Sequence, residues 1–499
     1  MRIKLILPNA RGKDETLSDF TYSLKLLTPK TMSGGKNIMA FMPLALPTLA
    51  ALTPRDVDVS IVDENVEAID FDDPVDLVGI SFVSYMARRA YQIADRFREL
   101  GVHVVLGGVH VSLFPDEALL HADTVVVGEA ETLWPRFLDD LARGRAARLY
   151  RCEVKPDLQT RVVPRWDLVK NRYYLTQLVQ TTRGCPFDCD FCMIRSIYGS
   201  PRSKPVDDVL AEIEEVARLK RVPGRLKIMF ADDNIVANVA YAKDLFARLI
   251  PLGIRWSSQA SITIAGDDEL LELARRSGCD SLLIGFESLS QQNLDSVRKG
   301  QNQVTHFGRA IDRIHAAGIN IYGFFIFGFD HDGPSVFRDT TDFIQQTGIE
   351  FPLFNLLAPL PGTRIHRRLE QEGRLFPLGW DDLNGYSVCF RPQQMSAEEL
   401  LEGFHWSITR CYSGDAILER LARAHESGAL AGDGGHLLRL GLSALLLLNA
   451  LRQDASTRRF ILHMLREMWL RRDAKVNAML MFLDRFDFAR RLEQRRARR

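Results

Sequence analysis

From Arg2 to about Gly144, short β-branched runs alternate with segments of helical period. IKLIL, VDVSIVD, DLVGISF, HVVLGG and DTVVVGE read as buried strands, while LALPTLAAL and ARRAYQIADRFREL read as helices between them. Continuous apolar strands separated by amphipathic helices are the signature of a parallel sheet covered on both faces. Residues 1–145 are therefore expected to form a doubly wound α/β domain. Its polar and glycine residues fall just after strands, at Ser81, Ser84, Gly107, Gly108, His110, Gly128 and Glu129. In such sheets ligands lie beyond the carboxyl ends of the strands, which makes these residues the expected binding edge.

A polar, irregular stretch, 146–172, reads as a linker. Alternation then resumes over 173–380, with strands expected at 175–181, 226–230, 254–258, 281–286, 319–327 and 351–357. Between the first two, Val209, Leu210, Ile213, Val216 and Leu219 repeat at helical spacing, with Asp207 or Asp208 as the expected cap. Six strands with intervening helices predict a partial TIM-type barrel, functional at the carboxyl ends of its strands. Past about Gly379 the pattern turns helical, which predicts a helical C-terminal domain over 381–499 with a glycine-rich break at 431–436 and a buried helix around SALLLLNAL.

Charge narrows the picture. Lys plus Arg and Asp plus Glu balance at 64 each, so nucleic acid is not an expected partner. Only the tail departs from balance: residues 451–499 hold 14 Lys and Arg against 6 Asp and Glu, interleaved with Ile461, Leu462, Met464, Leu465, Met468, Trp469 and Leu470. That pattern suits a solvated helical face or a basic amphipathic helix lying on a membrane surface. The start MRIKLILPNA lacks a secretory h-region, and seven cysteines in 499 residues are no disulfide framework. A reducing cytoplasm is the expected compartment.

Three of those cysteines, Cys185, Cys189 and Cys192, stand together in CPFDCDFC just after the first barrel strand. Pro186, Asp188 and Asp190 make the segment a loop, which argues against buried thiols serving as small hydrophobes. Structural zinc wants a fourth cysteine or histidine close by, and the next cysteine is Cys279. An iron-sulfur cluster remains, and a cubane held by three thiolates leaves one iron free for an external ligand.

TTRGCPFDCDFC, with Phe191 before its last cysteine, resembles the cluster loop of the radical S-adenosylmethionine superfamily. The resemblance implies a 4Fe-4S cluster on Cys185, Cys189 and Cys192, with S-adenosylmethionine on the free iron. It also implies electron delivery from a donor such as flavodoxin or ferredoxin, and a deoxyadenosyl radical that abstracts hydrogen. Phe230, Asp232 and Asp233 stand where that family binds the methionyl amino group. Glu287 and Ser288 resemble its ribose segment, Ile326 and Gly328 its adenine segment, and 358–363 the close of its barrel. GGVHVSLFPDEAL and VVVGEAE resemble the cobalamin domain, flavodoxin- or Rossmann-like, of the B12-type branch. Cobalamin is therefore an expected cofactor, with Ser81, Ser84, Gly107, Gly108, Gly128 and Glu129 around it.

One departure stands out. Where many cobalamin proteins carry D-x-H-x-x-G, this chain reads Asp63-Glu64-Asn65-Val66-Glu67-Ala68, so no histidine ligates cobalt from that position. His110 is the alternative ligand, against a packed loop role. The layout resembles hopanoid C-methylases and tetrapyrrole-modifying enzymes, which implies C-methylation of an unactivated carbon in a lipid-like or tetrapyrrole-like small molecule. Two rivals remain open: a cobalt-free radical enzyme with a vestigial first domain, and a non-catalytic cobalamin or lipid sensor.

Overall fold

The computed structural model describes residues 1–9, 39–219, 226–377, 379–426, 455–470 and 476–496. The first sheet comprises β1 (Arg2–Leu7), β2 (Asp58–Asp63), β3 (Leu77–Ser81), β4 (His103–Gly107), β5 (Thr124–Val127) and β6 (Leu149–Arg151). They lie in the order β2-β1-β3-β4-β5-β6, every neighbouring pair parallel. Winding reverses between β1 and β3, and a crevice opens at the carboxyl ends of strands flanking such a switch point. Ile3, Leu5, Ile6, Leu77, Val78, Ile80, Val104 and Leu106 are buried, as a sheet covered on both faces requires.

The stretch expected to be linker is partly structure. β6 lies within it as the edge strand of the first sheet, and Leu158, Trp166 and Val169 are buried further along it. A three-residue strand carries too little periodicity to stand out in sequence. Its place is fixed by pairing with β5.

A two-stranded antiparallel ribbon, β8 (Thr182–Arg183) and β9 (Arg202–Ser203), adjoins the second sheet. That sheet comprises β7 (Gln177–Val179), β10 (Lys227–Phe230), β11 (Arg255–Ala260), β12 (Cys279–Glu287), β13 (Asn320–Phe327) and β14 (Phe351–Leu356). The order β14-β13-β12-β11-β10-β7 is parallel throughout and open, a six-stranded partial barrel. The helix Val206–Leu219 buries Val209, Ile213 and Val216 as its spacing predicts, but Asp207 and Asp208 lie in its first turn rather than capping it. Acidic residues there still favour the positive end of the helix dipole.

The C-terminal region is helical, with helices at Ala397–Cys411, Gly414–Glu426, Ala455–Leu470 and Val476–Arg496. Ser396 and Glu399 form a reciprocal capping box at the first of these, at 3.1 Å and 2.7 Å. The apolar residues of the basic tail divide: Ile461, Met464 and Leu465 are buried in the main core, while Leu462 and Leu470 are exposed. A core-facing stripe therefore explains much of that pattern without a membrane. The break at 431–436 and the helix expected around SALLLLNAL, within 440–451, lie outside the described residues. Among the described residues no helix is long and apolar enough to cross a membrane.

Candidate functional site

Cys185, Cys189 and Cys192 lie on the long excursion between β8 and β9, all free and half-buried. Burial raises all three thiols above their ordinary acidity range, Cys192 to about 11, and their proximity to one another adds to the effect on Cys185 and Cys192. Among the described residues no three Cys, His, Asp or Glu side chains meet as a single-ion site. A cubane makes no such demand, because each thiolate binds a different iron. Three mutually influencing thiols on one loop therefore suit a cluster better than zinc.

Charge pins the loop from several sides. Arg364, opening the helix Arg364–Gln371, binds Asp188 at 2.7 Å and Asp190 at 3.3 Å. Arg298 reaches Asp190 at 3.3 Å, and the Asp190 amide donates to the Val297 carbonyl at 3.0 Å. Lys299 is half-buried beside Cys189 and Cys192, pairs with Glu287 at 2.6 Å and lies over the Phe191 ring at 5.7 Å. Gln301 donates to the Cys189 sulfur at 3.7 Å. A partly buried cation next to thiols favours their anionic, metal-binding form. Lys299 belongs to no motif, and its only signal in the sequence is its position just past the segment following Glu287.

The strand-end residues divide into those that face this loop and those that hold it. Glu287 ends β12 in a left-handed backbone conformation, φ 67°, where β12 shifts register against β13. Such strain in a non-glycine residue needs support, and the Lys299 pair supplies it. Ile326 and Phe191 pack together on a small apolar cluster around Phe329, Leu357 and Phe390. Gly328 lies against Leu400 and Phe390 of the C-terminal region, its amide donating to Asp332 at 2.9 Å. Ser288 accepts from the Ser290 amide at 3.1 Å, which fixes the turn after β12.

Phe230 and Asp232, expected among the cofactor contacts, are placed otherwise. Phe230 is fully buried against Trp256, because β10 alternates and Ile228 and Phe230 share its core face. Asp232 is buried and accepts from the Thr181 amide at 2.7 Å, the Thr182 hydroxyl at 2.9 Å and the Thr181 hydroxyl. Desolvation pushes its carboxyl up to about 6 despite those donors. Its oxygens are spent on the entry to the cysteine loop. Asp233 accepts from the Gly184 amide at 2.8 Å, one residue before Cys185.

A cavity of about 640 Å³ opens at the carboxyl ends of the first sheet. Leu7, Ser81, Gly107, Gly108, Gly128 and Glu129 line it from the first domain, and Gln180, Arg183, Tyr198 and Lys204 from the second. Gly108 has φ 104°, and a Cβ there would lie 2.5 Å from the Phe82 carbonyl oxygen, so glycine is what lets the β4 turn close. Ser84 and His110 are not on its wall. The His110 ring nitrogens meet the Ser84 hydroxyl at 3.1 Å and the Tyr91 hydroxyl at 3.0 Å, with Trp380 packed against the ring. Fully buried and pushed down to about 4 by desolvation, His110 is a packed loop histidine rather than a ligand facing the cavity. No histidine occurs among the described residues lining it. A wide, largely apolar cleft at the switch point, with small residues on its floor, fits a corrin held without a protein imidazole.

A doubly wound domain whose cleft opens onto a partial barrel with a three-thiol loop defines a radical S-adenosylmethionine protein with a B12 domain. Comparison with known proteins agrees. The family model described as Radical SAM superfamily matches residues 179–344, the B12 binding domain 41–138, and a domain of unknown function (DUF4070) 363–484. The chain is 36% identical over 390 residues to bacteriochlorophyllide d C-12(1)-methyltransferase of Chlorobaculum tepidum, covering 76% of this chain and 84% of that one. It is 28% identical to the hopanoid C-2 methylase of Rhodopseudomonas palustris, over 77% of this chain and 74% of that one. The radical S-adenosylmethionine methyltransferase TsrM from Kitasatospora setae, solved with cobalamin and a 4Fe-4S cluster bound, superposes with a TM-score of 0.61 at 15% identity over 99% of both chains. The chain belongs to the cobalamin-dependent radical S-adenosylmethionine methyltransferase family, whose cofactors are a 4Fe-4S cluster, S-adenosylmethionine and cobalamin.

Proposed function

We propose that this chain methylates an unactivated carbon of a tetrapyrrole-like small molecule. Cys185, Cys189 and Cys192 hold the cluster, Glu287 and the Ile326–Gly328 segment flank S-adenosylmethionine, and the cleft of the first domain holds cobalamin. When bound, these groups supply a hydrogen-abstracting radical and a transferable methyl group. The chain's own work is placement. Lys299 keeps positive charge beside the thiols, Asp233 and Arg364 fix the loop between strand ends, and Leu7, Phe41 and Tyr85 keep the cleft apolar.

The observation that carries this reading is that one cleft is walled by both the first-domain floor and the base of the cysteine excursion, through Gln180, Arg183 and Tyr198. The tetrapyrrole is favoured over a triterpenoid lipid because the bacteriochlorophyllide methyltransferase is the more similar relative over a larger share of its length. The test is anaerobic reconstitution with iron, sulfide and hydroxocobalamin, followed by turnover with methyl-labelled S-adenosylmethionine and a flavodoxin-type reductant. We expect about four irons and one cobalamin per chain. Label should enter a chlorophyllide-type tetrapyrrole and not a hopanoid. Label in the hopanoid alone would move the substrate class to lipids, and cleavage with label in neither would overturn the proposed substrate range.

A further inference from the structure

The whole cysteine-bearing excursion, 184–201, leaves from Arg183 and returns at Arg202, and these two residues face each other in the β8–β9 register. Two features make this closure weak on its own. The ribbon is only two residue pairs long, far below what holds an isolated hairpin together. Its closing pair also sets one guanidinium opposite another, and like charges directly across a ribbon repel.

The missing anion comes from the other domain. Glu129 is buried at the end of the β5 turn and accepts from Arg202 at 2.7 Å on one carboxylate oxygen and from Arg183 on the other. Glu131 adds a second contact to Arg183 at 2.7 Å, and Lys155 lies 3.8 Å from Glu129. One carboxylate therefore grips both ends of the excursion that carries the three cysteines.

The same carboxylate is tied to the floor of the cleft. Gly128, immediately before it, lines the cavity, has φ 88°, and donates its amide to Ser112 at 2.9 Å. A Cβ at Gly128 would lie 2.9 Å from that of Cys152, so only glycine fits there, and the Cys152 amide donates to the Val127 carbonyl at 2.9 Å, which ties the turn to the residue after β6. Arg183 and Tyr198 complete the path, since both line the cavity and the guanidinium lies 5.9 Å over the tyrosine ring. Whatever fixes the β5 turn from inside the cleft also fixes the base of the cysteine excursion.

We propose that Glu129 is a positioning residue that couples the two cofactor sites, so that filling the cleft and filling the cysteine loop favour each other. This rests on the reading that cobalamin occupies the cleft and the cluster the loop. Coupling between two binding sites must be reciprocal: the factor by which the cluster tightens cobalamin binding equals the factor by which cobalamin tightens the cluster.

The experiment titrates hydroxocobalamin by absorbance into the full chain, with and without its reconstituted cluster, in the wild type and in Glu129→Gln. The wild type should bind cobalamin about tenfold more tightly with the cluster in place, and Glu129→Gln should bind equally in both states. Undiminished coupling in Glu129→Gln, or none in the wild type, overturns the proposal while leaving the methyltransferase reading standing. Absence of any cobalamin binding by the wild type would instead bring down that reading. Should Glu129→Gln fail to fold, Arg202→Gln carries the test: it leaves Glu129 its Arg183 partner, and it too must lower the coupling for the proposal to hold.

Discussion

The two cofactor regions are built from opposite materials. The floor of the first-domain cleft is made mostly of backbone and small or apolar side chains, with Gly107, Gly108 and Gly128 on it, and its charged groups, Glu129 and Arg183 among them, gather where the second domain meets it. The cysteine loop is held by charge, with Asp188, Asp190, Asp233, Lys299, Arg298 and Arg364 all engaged around it. A cleft shaped by the turns of a parallel sheet comes with the fold and needs few special contacts. A loop of thiols between two short strands has no lattice of its own, so it needs partners at each polar group. The first arrangement is sensitive to added volume and the second to lost charge or lost ligands.

Three perturbations test that contrast. The largest effect belongs to Cys189→Ala, which should abolish reductive cleavage of S-adenosylmethionine and lower iron content, while circular dichroism and cobalamin uptake stay close to the wild type. Retained cleavage would remove the thiol loop from the chemistry. Gly108→Ala should act in the opposite region. Forcing a Cβ toward the Phe82 carbonyl at a left-handed position should cost about 2–4 kcal/mol in urea unfolding. It should weaken cobalamin binding and leave iron content unchanged. Equal loss of both cofactors would mean the two regions do not differ in the way described.

The smallest effect is a pH dependence confined to the barrel. Asp232 has its carboxyl raised to about 6 from an ordinary 3.8, so the folded chain keeps a proton that the unfolded chain has already lost. Its contribution to stability is full below about pH 4, falls as pH rises to about 6, and is constant above that. The change is on the order of 3 kcal/mol or less. Asp232→Asn should flatten this step in denaturant unfolding measured from pH 4 to 7, and an unaltered slope would show that burial does not hold the proton there.

Much of the architecture could be read from hydrophobic runs. β10 to β14 fall within a few residues of the stretches that marked them, because buried positions alternating with part-exposed ones leave a strand period that can be read along the chain. β6 was hidden, since Leu149–Arg151 has one buried residue and gains its identity only from β5. Among site residues, the cysteines were legible because thiol chemistry depends on residue type and close spacing. The contacts of Asp232 and Phe230 had no such signal: Phe230 shares the core face of β10 with Ile228, and Asp232, in the turn after β10, spends its carboxylate on Thr181 and Thr182.

The sequence by itself determined the order of the domains, the thiol loop and the lack of a histidine in the Asp63–Ala68 segment, all of which depend on local residue identity. Only the tertiary structure decided that Glu129 reaches across 54 residues of chain to Arg183 and 73 to Arg202. It likewise decided that Lys299 lies under Phe191 and that Ser84 and His110 turn away from the cleft. Ion pairs and burial are properties of distance in space, and no spacing along the chain encodes which charges will meet once two separately wound sheets close on one another.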